Sequence, residues 1–170
     1  LKNKPDGRSN RPGNGGSSML KYETEHLFSY TATVAPPEVI GPGPDGIPLN
    51  FSVTGGTVTG PRVNGKLRPI GGDYATLRTD GVLILNVIAT IECDDGALID
   101  TRYSGVIDMG PEGYANFLKG IIPSGLKIRS GPRFRTAHPN YLWLNRLQCF
   151  GIGEADLAKL EVGYDVYALR

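Results

Sequence analysis

From Leu20 onward, apolar and polar residues alternate along most of the chain, with β-branched and aromatic side chains at many of the apolar positions. A period of two is the mark of half-buried strands. It predicts strands over Leu27–Val34, Phe51–Thr59, Val63–Arg68, Asp73–Thr79, Val82–Cys93, Ala97–Ile107, Arg133–Thr136, Tyr141–Phe150 and Val162–Leu169. The Pro/Gly segment from Ala35 to Pro48 is expected to lack regular structure, because proline fixes φ and removes a backbone donor. One short helix is expected where Pro111 opens a turn, Tyr114, Phe117 and Leu118 share a face, and Gly120 ends it. A weaker helical turn is expected over Glu154–Leu160. The fold class that follows is all-β and mainly antiparallel: a closed eight- or nine-stranded β-barrel with one or two short helices. Closure is favoured because it removes exposed strand edges.

Two Asp-Gly pairs, Asp80-Gly81 and Asp95-Gly96, stand between apolar runs and read as two-residue hairpin turns. Such turns place Leu77 opposite Ile84, Ala75 opposite Asn86 and Asp73 opposite Ile88; they also place Glu92 opposite Ile99, Thr90 opposite Thr101 and Ile88 opposite Tyr103. Opposed residues project to the same side of a sheet. One side then carries Asp73, Asn86, Ile88, Glu92, Thr101 and Tyr103 among apolar neighbours, the mixture expected of a ligand pocket, and is assigned to the barrel interior. The other side carries Leu83, Leu85 and Val87 and is expected to pack on a helix, a loop or a second copy of the chain, which makes a homodimer an expectation. A single bulge would reverse these assignments.

Composition narrows the field without naming an activity. The chain has 170 residues, and 18 Lys and Arg balance 17 Asp and Glu, so there is no electrostatic footprint for nucleic acid or an anionic membrane. The longest apolar run, Val82 to Ile91, is too short for a spanning helix. Two cysteines and two histidines without a paired-cysteine motif give no disulfide framework and no metal site. Opposed parity is expected to keep Cys93 and Cys149 apart. Residues 1–18, LKNKPDGRSNRPGNGGSS, lack an apolar periodicity and a signal-peptide core, and are expected to be a flexible or vector-derived extension ahead of a single barrel domain over residues 19–170. Cytoplasmic localisation is the corresponding expectation.

Within the expected lumen, Asp73, Ile88 and Tyr103 form one row across three strands, so a small molecule fits between a carboxyl and a phenol about 10 Å apart at the backbone. A carboxyl in an apolar lumen has a raised pKa, which suits proton transfer near neutral pH. The plainer reading of Asp73, just after Gly71-Gly72, is a turn hydrogen bond. On the expected strand Tyr141–Phe150, parity points Trp143 and Asn145 inward as an apolar wall and a polar anchor; ordinary core packing is the alternative.

The strings APPEVIGPGPDGIPLNFSVTGGTVTGPRVNGKLRPIGGDYATLRTDGV, IECDDGALIDTRYSGV and PRFRTAHPNYLWLN, in this order, resemble domain of unknown function family 3237. The resemblance covers roughly Leu27 to Leu169 and is carried by Thr54–Pro61, Gly71–Tyr74, Asp94–Ile99 and Tyr141–Asn145 together. It implies a small β-barrel, and some members look like cofactor-free enzymes that close an oxygen ring by adding a hydroxyl across an alkene. It implies further that Asp73 and Trp143-Leu144-Asn145 fall in family motifs, while Tyr74 and Ile88 depart from the pattern. The functional expectation is a cofactor-independent cyclase or isomerase acting on a small, hydrophobic, oxygenated metabolite. Asp73 and Tyr103 are its expected catalytic groups, and Asn86, Ile88, Glu92, Thr101, Trp143 and Asn145 its expected substrate contacts, with no metal and no cofactor. The alternative is a lipocalin-like carrier with the same lumen and no chemistry.

Overall fold

Strand content dominates the computed structural model, which describes residues 19–170; the extension expected over residues 1–18 lies outside the described residues. The strands are β1 (Thr24–Val34), β2 (Glu38–Val39), β3 (Ile47–Thr59), β4 (Gly65–Leu77), β5 (Val82–Cys93), β6 (Leu98–Asp108), β7 (Leu126–Ser130), β8 (Arg133–Arg135), β9 (Gln148–Asp156) and β10 (Glu161–Leu169). A short helix α1 (Gly113–Leu118) follows β6, and a 3₁₀ helix (Pro139–Arg146) precedes β9. The hydrogen-bonded order β1-β10-β9-β7-β6-β5-β4-β3 returns to β1, giving a closed eight-stranded antiparallel barrel. β2 pairs with β3 and β8 with β6, both outside the ring. Among the described residues no helix is long and apolar enough to cross a membrane.

Several sequence expectations shift. The Pro/Gly segment holds β2 and the start of β3, and Glu154–Leu160 forms the end of β9 and a tight turn, not a helix. The expected Val63–Arg68 and Asp73–Thr79 strands are one strand, β4, whose register against β5 slips between Leu67 and Gly71. Pro69 sits in that bulge, where no ladder donor is needed.

The hairpin turns carry the largest correction. Arg78 N–H donates to Val82 O and Gly81 N–H to Arg78 O; Cys93 N–H donates to Ala97 O and Gly96 N–H to Cys93 O. Each loop therefore has three residues, with glycine in the left-handed region at φ +84° and +83°. The side chains of Asp80 and Asp95 accept from the N–H two residues on, which stabilises the longer turn. One extra residue per loop moves β5 by one position against both neighbours and turns it over. Leu83, Leu85, Val87, Ala89 and Ile91 line the interior, whereas Asn86, Ile88 and Glu92 face outward. The apolar face expected to meet another subunit is thus inside the barrel. The two displacements cancel between β4 and β6, so Asp73 and Tyr103 still share a row, with Val87 between them in place of Ile88.

Packing fills the barrel unevenly. At the β5–β6 turn, Phe28 meets Phe134 edge-to-face at 5.3 Å, and Leu27, Val63, Ile99 and Leu144 are fully buried around them. The inward positions that line the remaining space include Ala32, Ala89 and Ala155, which are too small to close it. Cys93 and Cys149 are both buried in the core and unpaired, so their expected opposite placement is also corrected.

The three-residue turns are testable through their glycines. A Cβ at Gly81 would collide with the Gly110 carbonyl, while Gly96 has open space around it. Gly96→Ala is expected to cost about 1 kcal/mol from its positive φ alone, and Gly81→Ala clearly more; urea unfolding midpoints of the two variants give the comparison.

Candidate active site in the barrel lumen

β-strand parity directs Asp73 from β4, Thr101 and Tyr103 from β6, Tyr30 from β1 and Tyr164 from β10 into one chamber of about 60 Å³. A single water-sized group needs about 10–15 Å³, so the chamber admits a small molecule. The remaining walls are aliphatic or aromatic. Phe51, Leu83 and Leu157 lead from it into a smaller apolar space of about 40 Å³ beneath Met109, Phe117 and Ile122 at the α1 end.

Asp73 occupies a gap in the wall. Pairing between β4 and β5 is interrupted after Asp73–Val87 and resumes at Thr76–Ile84. In the gap, Asn86 N–H donates to Asp73 Oδ1 at 2.8 Å. The plainer sequence reading, a turn hydrogen bond, is corrected: the donor is an N–H of the neighbouring strand β5. Burial raises the Asp73 pKa to about 6, against the opposing pull of the Asn86 N–H.

Facing it, the Tyr30 and Tyr103 hydroxyls lie 2.8 Å apart in a buried hydrogen bond. Tyr164 stacks on Tyr30 at 4.9 Å and meets Tyr103 edge-on at 5.7 Å. Burial pushes all three phenols well above the ordinary tyrosine value, and the Asp73 charge adds to the rise. They stay protonated at neutral pH. Thr101 is 2% exposed, and its hydroxyl has no partner among the described residues.

The expected substrate contacts are placed differently. Of the six, only Thr101 reaches the chamber. Asn86 contributes its backbone N–H while its side chain faces an outer groove, and Ile88 lines the same groove. Glu92 is outside, paired with Lys66 at 3.2 Å and Arg68 at 3.6 Å. Trp143 and Asn145 lie on the 3₁₀ helix and not on a strand. The Trp143 Nε1–H donates to Asn140 O, and the Arg62 guanidinium lies 3.7 Å above its ring. Asn145 clamps Thr136, accepting from its N–H and donating to its carbonyl, each at 2.9 Å. The signal for this helix was present: Pro139 at the first helical position, then Tyr141, Leu144 and Leu147 every third residue, the period of a 3₁₀ turn. Tyr30 and Tyr164 were not anticipated as site residues. Their within-strand alternation was readable, but their meeting depends on closure between β1 and β10. Among the described residues no cluster of three His, Cys, Asp or Glu side chains is placed to hold a metal ion.

The sequence profile described as protein of unknown function (DUF3237) matches residues 22–169. The chain belongs to this family. A UPF0311 protein of Rhodopseudomonas palustris is 32% identical over 148 residues, spanning 85% of this chain and 95% of the relative. The crystal structure of a protein of unknown function from Clostridium acetobutylicum superposes with a TM-score of 0.80 at 27% identity, covering 88% of this chain and all of the other. An enzyme from Penicillium herquei shares the fold, with a TM-score of 0.68 at 23% identity over 91% of this chain and 99% of its own.

Two consequences for this DUF3237 barrel are measurable. Asp73 has a folded pKa above its unfolded value of 3.8, so its ionisation opposes folding. The cost is absent below the unfolded pKa, grows as pH rises between the two values, and is complete above about 6. Asp73→Asn keeps an acceptor for the Asn86 N–H and is expected to stabilise the protein at neutral pH by about 2 kcal/mol, with the gain vanishing in acid; thermal melts across pH read this directly. Asn145→Ala, by contrast, is expected to lower stability by about 1 kcal/mol through the lost Thr136 clamp and to leave ligand binding in the lumen unchanged by calorimetry.

Proposed function

We propose that the protein is a cofactor-independent cyclase or isomerase that acts on a small, hydrophobic, oxygenated metabolite by general acid–base catalysis in the barrel lumen. The observation that carries this reading is a carboxyl of raised pKa, about 6, lodged in an apolar chamber and confronted by protonated phenols. Such a group holds both protonation states near neutral pH, the condition for efficient proton transfer. The enzyme from Penicillium herquei gives the fold a precedent as a scaffold for chemistry.

In ring closure, protonated Asp73 delivers its proton to one alkene carbon, the π pair forming the new C–H bond. The substrate hydroxyl oxygen then bonds to the other carbon and returns its proton to the Asp73 carboxylate. The O–H and π bonds break, C–H and C–O bonds form, and no electrons are exchanged, so no redox partner is needed. Tyr103 orients the hydroxyl and relays its proton. The apolar walls exclude water that would otherwise capture the cation. A carrier with no chemistry is the second reading, favoured by the predominantly apolar lining.

A short γ-hydroxyalkene that closes to a dimethyl-tetrahydrofuran tests the choice. Wild-type protein in deuterated water is expected to convert it with one deuterium placed on carbon. Asp73→Asn should lower kcat/KM by about 10²-fold or more. Because Asp73 must enter protonated, with Tyr30, Tyr103 and Tyr164 neutral throughout, kcat/KM should fall as pH rises through about 6. Binding of the compound with its return unchanged, in both proteins, would make the barrel a carrier.

A further inference from the structure

We infer that the Tyr30–Tyr103 pair is a binding site for a carbonyl or enolate oxygen, and that the chamber enolises a small apolar ketone with the Asp73 carboxylate as the base. This rests on the preceding reading of Asp73 as a proton-transfer group and extends it to a substrate class that uses the ionised carboxyl, so ketone turnover should rise with pH through about 6 where ring closure falls.

The case begins with donor arithmetic. Three phenols carry three hydroxyl protons; the 2.8 Å bond between Tyr30 and Tyr103 uses one, and the hydrogen bond between Tyr164 and Tyr103 uses a second. The third O–H, at an end of this chain of hydroxyls, is left to donate elsewhere. All three residues line the chamber, so an oxygen placed there by a ligand is a ready acceptor. Tyr164 packs against both rings and holds them in place, so the donor is preorganised. All three residues are buried, and a hydrogen bond to a developing negative charge gains strength away from water.

Asp73 enters the same chamber from β4, two strands from Tyr103, with Val87 between. A carboxylate base facing phenol donors across an apolar gap is an arrangement that enolises ketones at neutral pH. Among the described residues no cation lines this chamber, so the oxygen charge is met there by neutral donors. Thr101 lies two residues from Tyr103 on the same face of β6, and its buried hydroxyl lacks a partner among the described residues.

The step balances. An α C–H bond of the ketone breaks and its proton passes to an Asp73 carboxylate oxygen. The C–H electron pair becomes the enolate double bond, and the carbonyl π pair moves onto the oxygen held by the phenol O–H. In a β,γ-unsaturated ketone, the same proton returns to the γ-carbon, the carbonyl re-forms and Asp73 is again ionised. The product is the conjugated ketone, with no change of oxidation state.

para-Nitrophenol, whose phenolate mimics the enolate and absorbs at a different wavelength from the neutral dye, probes the oxygen site. Wild-type protein is expected to bind it in the phenolate form, with the phenol proton taken by Asp73. Tyr103→Phe should weaken binding at least tenfold, and Tyr30→Phe serves as a second, independently folded variant with the same direction. Asp73→Asn should bind the phenolate at least as tightly as wild type, because no carboxylate has to be protonated before the anion can enter. A purely structural tyrosine cluster would leave the dye spectrum and affinity unmoved in the two Phe variants whose melting temperature is retained, and that result overturns the inference, as does a bound dye that stays neutral. A β,γ-unsaturated cyclohexenone supplies the catalytic readout, with conversion to the conjugated isomer lost in Asp73→Asn. The two readings fail separately: ring closure insensitive to Asp73→Asn would sink the proposed acid–base function, while phenolate binding insensitive to both Phe substitutions would sink only the oxygen site.

Discussion

A single backbone hydrogen bond, from Asn86 N–H to the Asp73 carboxylate, holds the chamber's one carboxyl in place. It sits where the β4–β5 ladder is interrupted, so a side chain does the work that a carbonyl does elsewhere in the wall. The bond orients the carboxyl, and it also offsets part of the penalty for carrying charge into an apolar space. That penalty is larger than the compensation, which is why the pKa rises to about 6. A folded protein keeps such a group at a cost in stability, and functional sites are where costs of this kind collect.

Closure of the sheet supplies the rest. With eight strands, a barrel interior is just wide enough for its own side chains to fill. Here one half is filled, by Phe28, Phe134 and the aliphatic groups around them, and acts as a rigid floor. The chamber lining falls to alanine at Ala32, Ala89 and Ala155, and the chamber is the volume they leave. Because β1 pairs with both β3 and β10, Tyr30 and Tyr164 are brought beside Tyr103 and locked by ring contacts. The site is therefore assembled from rigid strands, with loops confined to its ends. The proposed proton transfer to and from carbon requires that geometry, since orientation is a large part of what such a catalyst supplies.

Polar residues on the outer wall have structural occupations. Glu92 answers Lys66 and Arg68, Asn145 ties down Thr136, and the Trp143 ring lies beneath Arg62. Exposed ion pairs of this sort contribute little individually. Their residue types matched a ligand site in the linear sequence, yet none lies in the chamber.

The chain itself determined that this is an all-β protein and where its turns fall; Asp73 and Tyr103 share a row because two equal loop displacements cancel. Period-two alternation and Asp-Gly punctuation are local and survive any register. The same local signals could not decide which way β5 faces, since a loop of two or three residues fits Asp-Gly equally and one residue reverses every side chain. They misassigned Tyr141–Phe150 because an aromatic run that alternates also repeats every third residue, and only burial of Leu144 separates the two periods. Tyr30 and Tyr164 stand more than a hundred residues apart in sequence, and their contact exists only because the ring closes. Parity is written into short stretches of sequence, but a lumen is a property of all eight strands at once.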